Sequence, residues 1–166
     1  MPVLKFDNLL SNNWITRLRN ELFEKETQRG LNYEGDMAYY GNSFGIGSLP
    51  IAEDCLRLLT PLIIKHYGSN LQTANSYSRI YYNGSVLKRH VDRQGLDITM
   101  SLCVFSDIEK PWPIYVEADG ITHEIDTPVN SAAVLLGTKH YHFRDPLVCR
   151  DDQKVAQIFF HWTRVS

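Results

Sequence analysis

Apolar residues in the first 70 positions recur with a helical period; beyond them they alternate with polar ones. Trp14, Ile15, Leu18 and Leu22 share one face, with Arg17, Arg19, Glu21 and Glu24 mostly opposite, which predicts a helix over Asn12–Lys25. Ser11 stands where an N-cap belongs, its hydroxyl able to accept from an otherwise unsatisfied amide of the first turn. Before it, Leu4–Leu10 reads as a short entry strand. Leu56, Leu59, Leu62 and Ile63 mark a second helix over Ile51–Tyr67, with Gly68 as its stop. Pro61 lies inside that helix and predicts a kink or a split, because it has no amide proton and its ring strikes the preceding turn. Between the helices, Thr27–Gly47 is rich in Gly, Asn and Tyr and reads as loop, with one short strand near Met37–Tyr40.

After Asn70 come short β-like runs separated by turn residues: 75–82, 86–91, 98–105, 112–117, 121–125, 132–136, 140–143 and 155–162. The pattern predicts a mostly β chain with two N-terminal helices, its strands forming a jelly roll (double-stranded β-helix) with the helices packed on the larger sheet. Residues 1–70 then form a helical support and 71–166 the jelly-roll core of a single domain. The mouth between two such sheets is a common place for a small-molecule site.

Composition narrows the function. A formal charge of −2 and a pI near 6.3 leave no basic footprint, so no nucleic-acid partner is expected. No apolar run is long enough for a membrane span, and the N-terminus has no secretory apolar region, which suggests a cytoplasmic protein. Cys55, Cys103 and Cys149 are odd in number and lack CxxC spacing, so reduced, buried thiols are expected rather than a disulfide framework.

The chemistry centres on residues 78–93, which read as strand, tight turn, short strand. His90 and Asp92 fall near the end. Residues two apart on a strand point the same way, so an imidazole and a carboxylate project together, about 7 Å apart along the backbone. That suits two neighbouring corners of one metal's shell, and a third ligand must come from elsewhere. His123, His140, His142 and His161 are the candidates, and His140 and His142 share a strand face. Two histidines and one carboxylate bind one face of an octahedral ion and leave three positions open, as in non-haem Fe(II) oxygenases.

Four stretches carry a resemblance. They are Tyr81-x-x-Gly84-x-x-Leu87-x-x-His90-x-Asp92-Arg93, Asp97-Ile98-Thr99-Met100-Ser101-Leu102, Pro111-Trp112-Pro113-Ile114-Tyr115-Val116, and His142-Phe143-Arg144-Asp145-Pro146 leading to Gln157-Ile158-Phe159-Phe160-His161-Trp162. In this order, over about half of the chain, they resemble the Fe(II)- and 2-oxoglutarate-dependent dioxygenases, specifically the small prolyl-4-hydroxylase-like branch of bacterial and bacteriophage proteins. The resemblance selects His142 as the distal ligand, since Pro146 follows four residues later, and makes His140 a neighbour on the rim. It implies Fe(II) on His90, Asp92 and His142, with 2-oxoglutarate and O2 as co-substrates and ascorbate as an aid. Its implied substrate is a small molecule or peptide, hydroxylated at an unactivated C–H bond of a peptidyl or free amino acid such as proline.

The family anchors the distal carboxylate of 2-oxoglutarate with a cation opening the last strand. Lys154 takes that place here, twelve positions after His142, with Arg150 and Arg144 as rivals because the spacing departs from the family's. Tyr81 matches the tyrosine that helps hold the same carboxylate. Arg93 is a candidate substrate contact, and Trp112 a candidate substrate platform. Thr99 and Ser101 alternate with Met100 and Leu102, so one polar side of that strand is expected to face the co-substrate. His66 reads as a helix C-terminal residue, His123 as solvated and His161 as packing under the sheet. A cupin-like metal-binding barrel that does not use 2-oxoglutarate is the competing reading; it has no need of the tyrosine–cation pair.

Overall fold

Ser11 caps the first helix, its Oγ accepting from the Trp14 amide at 3.3 Å. Helix α1 runs Asn12–Gln28, a little past its predicted end, and buries Ile15, Leu18 and Leu22. The computed structural model describes residues 3–28 and 42–166, so the strand expected near Met37–Tyr40 lies outside the described residues. Helix α2 (Pro50–Tyr67) begins on proline, where the missing amide proton costs nothing. No side chain of its own N-cap serves it. Instead the Glu21 carboxylate of α1 accepts from the amides of Ile51 at 2.9 Å and Ala52 at 3.2 Å.

The expected break at Pro61 does not occur; α2 runs through it as one helix. Leu56, Leu59 and Ile63 flank the proline and are buried in the main core, which holds both halves in line. Next to it, the Thr60 hydroxyl donates to the Leu56 carbonyl at 2.8 Å and accepts from Trp162 Nε1 at 3.0 Å. No helix among the described residues is long and apolar enough to cross a membrane.

The strands are β1 (Leu4–Phe6), β2 (Ser43–Gly47), β3 (Leu71–Tyr81), β4 (Leu87–His90), β5 (Ile98–Ser106), β6 (Ile114–Ala118), β7 (Ile121–Ile125), β8 (Ala132–Leu135), β9 (His142–Arg144) and β10 (Val155–Arg164). All eight predicted runs are strands. β2 lies in the stretch whose composition predicts loop. The strands form a six-stranded sheet ordered β1-β8-β5-β10-β3-β2 and a four-stranded sheet ordered β4-β9-β6-β7, with antiparallel neighbours throughout.

Alternation divides the central strands between two interiors. On β5, Ile98, Met100, Leu102 and Val104 join the core shared with the helices, as do Ala156, Ile158, Phe160 and Trp162 on β10. The intervening Thr99, Ser101, Gln157, Phe159 and His161 line cavities on the opposite face. Ile114, Val116 and Ile125 of the small sheet pack on Ala133 and Leu135 of the large one, closing the jelly roll. Helices on the larger sheet and a cavity between the two sheets match the expected architecture. Cys55 and Cys103 are buried and Cys149 half-buried, and none forms a disulfide. Burial pushes the Cys103 thiol up to about 11, so it is inert at neutral pH.

Candidate metal centre

His90 ends β4 and pairs in register with His142 on β9, which sets the two imidazoles side by side with ring centroids 4.2 Å apart. Asp92 follows on extended chain, tied back by its amide to the Gly137 carbonyl at 2.7 Å. Its Oδ1 lies 3.3 Å from His90 Nε2 and 3.2 Å from His142 Nε2. The three donor atoms all lie within 4.8 Å of one another. The structure thus brings together the three side chains that the resemblance implies as ligands, with His142 rather than His140 beside His90 and Asp92.

Each imidazole is oriented from behind. His90 Nδ1 lies 2.7 Å from the Lys88 carbonyl and His142 Nδ1 lies 2.8 Å from the His140 carbonyl. A carbonyl can only accept, so both Nδ1 atoms carry the proton and Nε2 turns to the centre. Two Nε2 atoms and a carboxylate oxygen then converge on one point, where they could hold a cation. This donor set fits a divalent transition metal such as Fe(II). Burial works against the Asp92 charge, but the hydrogen-bond donors facing it, His142 and His90 when no cation lies between them and Thr99 in either case, outweigh that and hold the carboxyl well below the usual carboxylate range.

Behind Asp92 lies a second layer. Oδ2 accepts from the Thr99 hydroxyl at 2.5 Å, and Thr99 Oγ1 lies 3.0 Å from His161 Nδ1. His161 therefore does not pack beneath the sheet as expected; it faces the cavity. Its burial pushes the imidazole down to about 4, against the pull of Asp92 and with the push of His142 and Arg93. A histidine kept neutral in the fold takes up a proton from about pH 6.5 when unfolded but only near pH 4 when folded. The unfolded chain thus binds more protons in that window, and stability falls as the pH drops through it. Between pH 7.5 and 5.0 this group alone costs about 2 kcal/mol. Urea denaturation of the metal-free protein and of His161→Phe at both pH values is expected to show the wild type losing about that much more.

The candidate anchoring cations separate clearly. Lys154 shares strand parity with Ala156 and Ile158, so it reaches the helix side: Nζ donates to Glu26 Oε1 at 2.7 Å and lies 4.1 Å from the centre of the Phe23 ring. Arg150 is exposed and pairs with Glu109 and Asp152. Neither points toward the metal centre. Arg144, two residues from His142 on the same strand face, is fully buried. Its Nη1 donates to the Trp112 carbonyl at 2.7 Å, its Nη2 to Ser101 Oγ at 3.4 Å, and its Nε has no hydrogen-bond partner. No carboxylate among the described residues pairs with it. Burial pushes the guanidinium below its usual value, with Tyr81 and Cys103 favouring its charge.

Tyr81 is buried beside it, edge-on to Trp112 with ring centroids 4.9 Å apart. Trp112 stacks under Arg144 at 5.0 Å and donates Nε1 to the Asp145 carbonyl at 2.8 Å. It lines a separate cavity at this far end, away from the metal ligands, so it is not placed as a substrate platform. Arg93 lines the cavity of the triad.

That cavity is about 470 Å³, within the usual range for ligand sites, and Thr99 and Ser101 line it as their alternation predicted. Sequence reasoning missed Arg79, which lines it too. Arg79 is 2 % exposed, and its Nη1 donates to Ser43 Oγ at 2.8 Å. A Cβ on Gly45 would sit 2.8 Å from Arg79 Nη2, which explains a glycine in the middle of β2.

No protein-family model matches the chain, and no curated protein sequence matches it. Solved structures do. A prolyl-4-hydroxylase from Pseudomonas putida superposes with a TM-score of 0.78 at 15 % identity, over 99 % of this chain and 93 % of that one. A prolyl hydroxylase from Trichoplax adhaerens, in complex with a hypoxia inducible factor peptide fragment, gives 0.75 at 12 % identity, over 97 % and 83 %. HygX from Streptomyces hygroscopicus, with nickel and 2-oxoglutarate bound, gives 0.71 at 13 % identity, over 98 % and 83 %. The fold of this chain is the jelly roll of these structures.

Proposed function

We propose that this chain is a non-haem Fe(II)- and 2-oxoglutarate-dependent dioxygenase that hydroxylates an unactivated C–H bond. The observation that carries the reading is the convergence of His90 Nε2, His142 Nε2 and Asp92 Oδ1 on one point at the wall of a cavity. Arg144 supports it. A buried guanidinium without a carboxylate is costly, and an anionic ligand beside it offsets that cost. Once bound, iron with 2-oxoglutarate and O2 would supply the oxidising power for hydroxylation, with one oxygen atom going to the C–H bond, the other to succinate, and CO2 lost.

The chain's own groups do the rest. His90, Asp92 and His142 hold one face of the ion and leave the other for ligands. Arg144, with Tyr81 beside it, would hold the distal carboxylate of the co-substrate. Arg93 and the segment to Leu96 border the substrate side. The substrate class we assign is a peptidyl or free amino acid, such as proline; the Trichoplax relative, which is bound to a peptide, supports this.

Anaerobic titration with Fe(II) and 2-oxoglutarate tests the reading. A visible charge-transfer band is expected, followed by succinate on admitting O2, with the band lost in His90→Ala and Asp92→Ala. A protein that binds the metal but gives no band at saturating 2-oxoglutarate would be a plain metal-binding barrel, and the proposal would fall.

A further inference from the structure

We propose that Thr99 and His161 are positioning residues that hold Asp92 as a one-oxygen metal ligand, with Oδ1 presented and Oδ2 tied back. The inference rests on the metal-centre reading above and goes one layer deeper. A carboxylate has two oxygens and can grip a metal with either one or both. Here the two are used differently. Oδ1 faces both Nε2 atoms, while Oδ2 is engaged by Thr99 at 2.5 Å.

The direction of the chain of bonds follows from proton counting. Thr99 has one hydroxyl proton and gives it to Oδ2, so it meets His161 Nδ1 with a lone pair. Nδ1 must therefore be the donor, and the imidazole, kept neutral by burial, is fixed in one tautomer. The sequence His161 Nδ1–H to Thr99 Oγ1–H to Asp92 Oδ2 aligns its dipoles, so each bond strengthens the next. Thr99 and His161 are also direct register partners of β5 and β10, so the pair is built into the centre of the larger sheet rather than into a loop.

Coordination arithmetic gives the device its purpose. Two histidines and one carboxylate oxygen leave three positions of an octahedral shell. A chelating keto acid needs two, and O2 needs the third. If Asp92 gripped with both oxygens, only two positions would remain, and the co-substrate and O2 would compete. Thr99 and His161 keep the third position open.

The test uses metal-free protein loaded with Co(II), a spectroscopically visible ion, and then titrated with 2-oxoglutarate. Thr99→Val keeps the shape of the side chain and removes the hydroxyl. It is expected to change the visible Co(II) spectrum before any 2-oxoglutarate is added and to weaken 2-oxoglutarate binding at least tenfold, in line with losses at other ligand-supporting residues. Thr99→Ser should stay within about threefold of wild type and keep its spectrum. His161→Phe is expected to shift the spectrum in the same sense as Thr99→Val, and serves if that variant does not fold by circular dichroism. A Thr99→Val protein with lowered Tm but wild-type Co(II) spectrum and 2-oxoglutarate affinity overturns the inference, because a merely structural threonine would behave that way. Failure of the wild type itself to bind Co(II) would instead sink the metal-centre reading, so the two failures are distinct.

Discussion

Arg144→Gln is expected to weaken 2-oxoglutarate binding to the metal-loaded protein by at least about 100-fold, while Lys154→Ala and Arg150→Ala each change it by less than about threefold. Removing one partner of a buried charge pair typically costs about 3–5 kcal/mol, since the other charge is left in a low-dielectric site without compensation. Arg144 is fully buried and has no carboxylate partner among the described residues, so the ligand would be its sole counter-charge. Lys154 already has one in Glu26, and Arg150 is solvated. Isothermal titration with 2-oxoglutarate reads the affinities. The rise in Tm on adding 2-oxoglutarate, present in wild type, should vanish in Arg144→Gln. A large loss in Lys154→Ala with none in Arg144→Gln would move the anchor to the last strand.

The position of Lys154, paired with Glu26 rather than facing the triad, shows which parts of this site the sequence discloses. Strand parity was enough for Thr99 and Ser101, which sit inside a regular run whose faces can be counted, and it carried over to His90 and Asp92 because the chain stays extended for two residues past the end of β4. The same count on β10 puts Gln157, Phe159 and His161 on the cavity side and Ala156, Phe160 and Trp162 on the helix side. Extended back one step, it assigns Lys154 to the helix side. Its place at the opening of the last strand, where the resembled family has its anchor, argued otherwise; in the structure its Nζ meets Glu26 on the helix side. His161 was misread for a related reason: in Phe159-Phe160-His161-Trp162 both faces are buried, so no apolar–polar alternation marks which one holds the cavity.

Other features depend on partners far away in sequence. β2 carries Gly45 and Gly47, which lower strand propensity, and Gly45 makes sense only once Arg79 is seen against it. The cap of α2 comes from Glu21, some thirty residues upstream, where no local capping rule would look. Choosing His142 over His140 also needed more than local pattern, since alternation in the sequence puts both on one face. In the structure His140 is buried with its Nδ1 accepting from the Leu136 amide, and its carbonyl orients His142.

Gly137→Ala should cost more at the metal centre than a one-methyl change suggests. A Cβ on Gly137 would lie 2.5 Å from Asp92 Oδ2, 2.5 Å from the Leu96 carbonyl oxygen and 2.6 Å from Thr99 Oγ1. The backbone cannot simply retreat: the Gly137 carbonyl accepts from the Asp92 amide at 2.7 Å, and its amide donates to the Asp97 carbonyl at 3.0 Å. The groups that must give are the Leu96 carbonyl and the Asp92 and Thr99 side chains, the pair whose bond orients the ligand. Overpacking of this kind destabilises by about 1–3 kcal/mol, and here the displaced atoms belong to the metal site. Metal affinity, read by Co(II) titration, is expected to fall at least tenfold, together with a drop in Tm. Gly84→Ala is the matched control. Its φ of +86° makes a side chain strained, but its Cβ would meet nothing within 4 Å. It should lose about 1 kcal/mol of stability and leave Co(II) affinity unchanged. Equal metal affinities in the two variants would mean that Asp92 tolerates displacement, and that the packing around its carboxylate does not set the geometry of the centre.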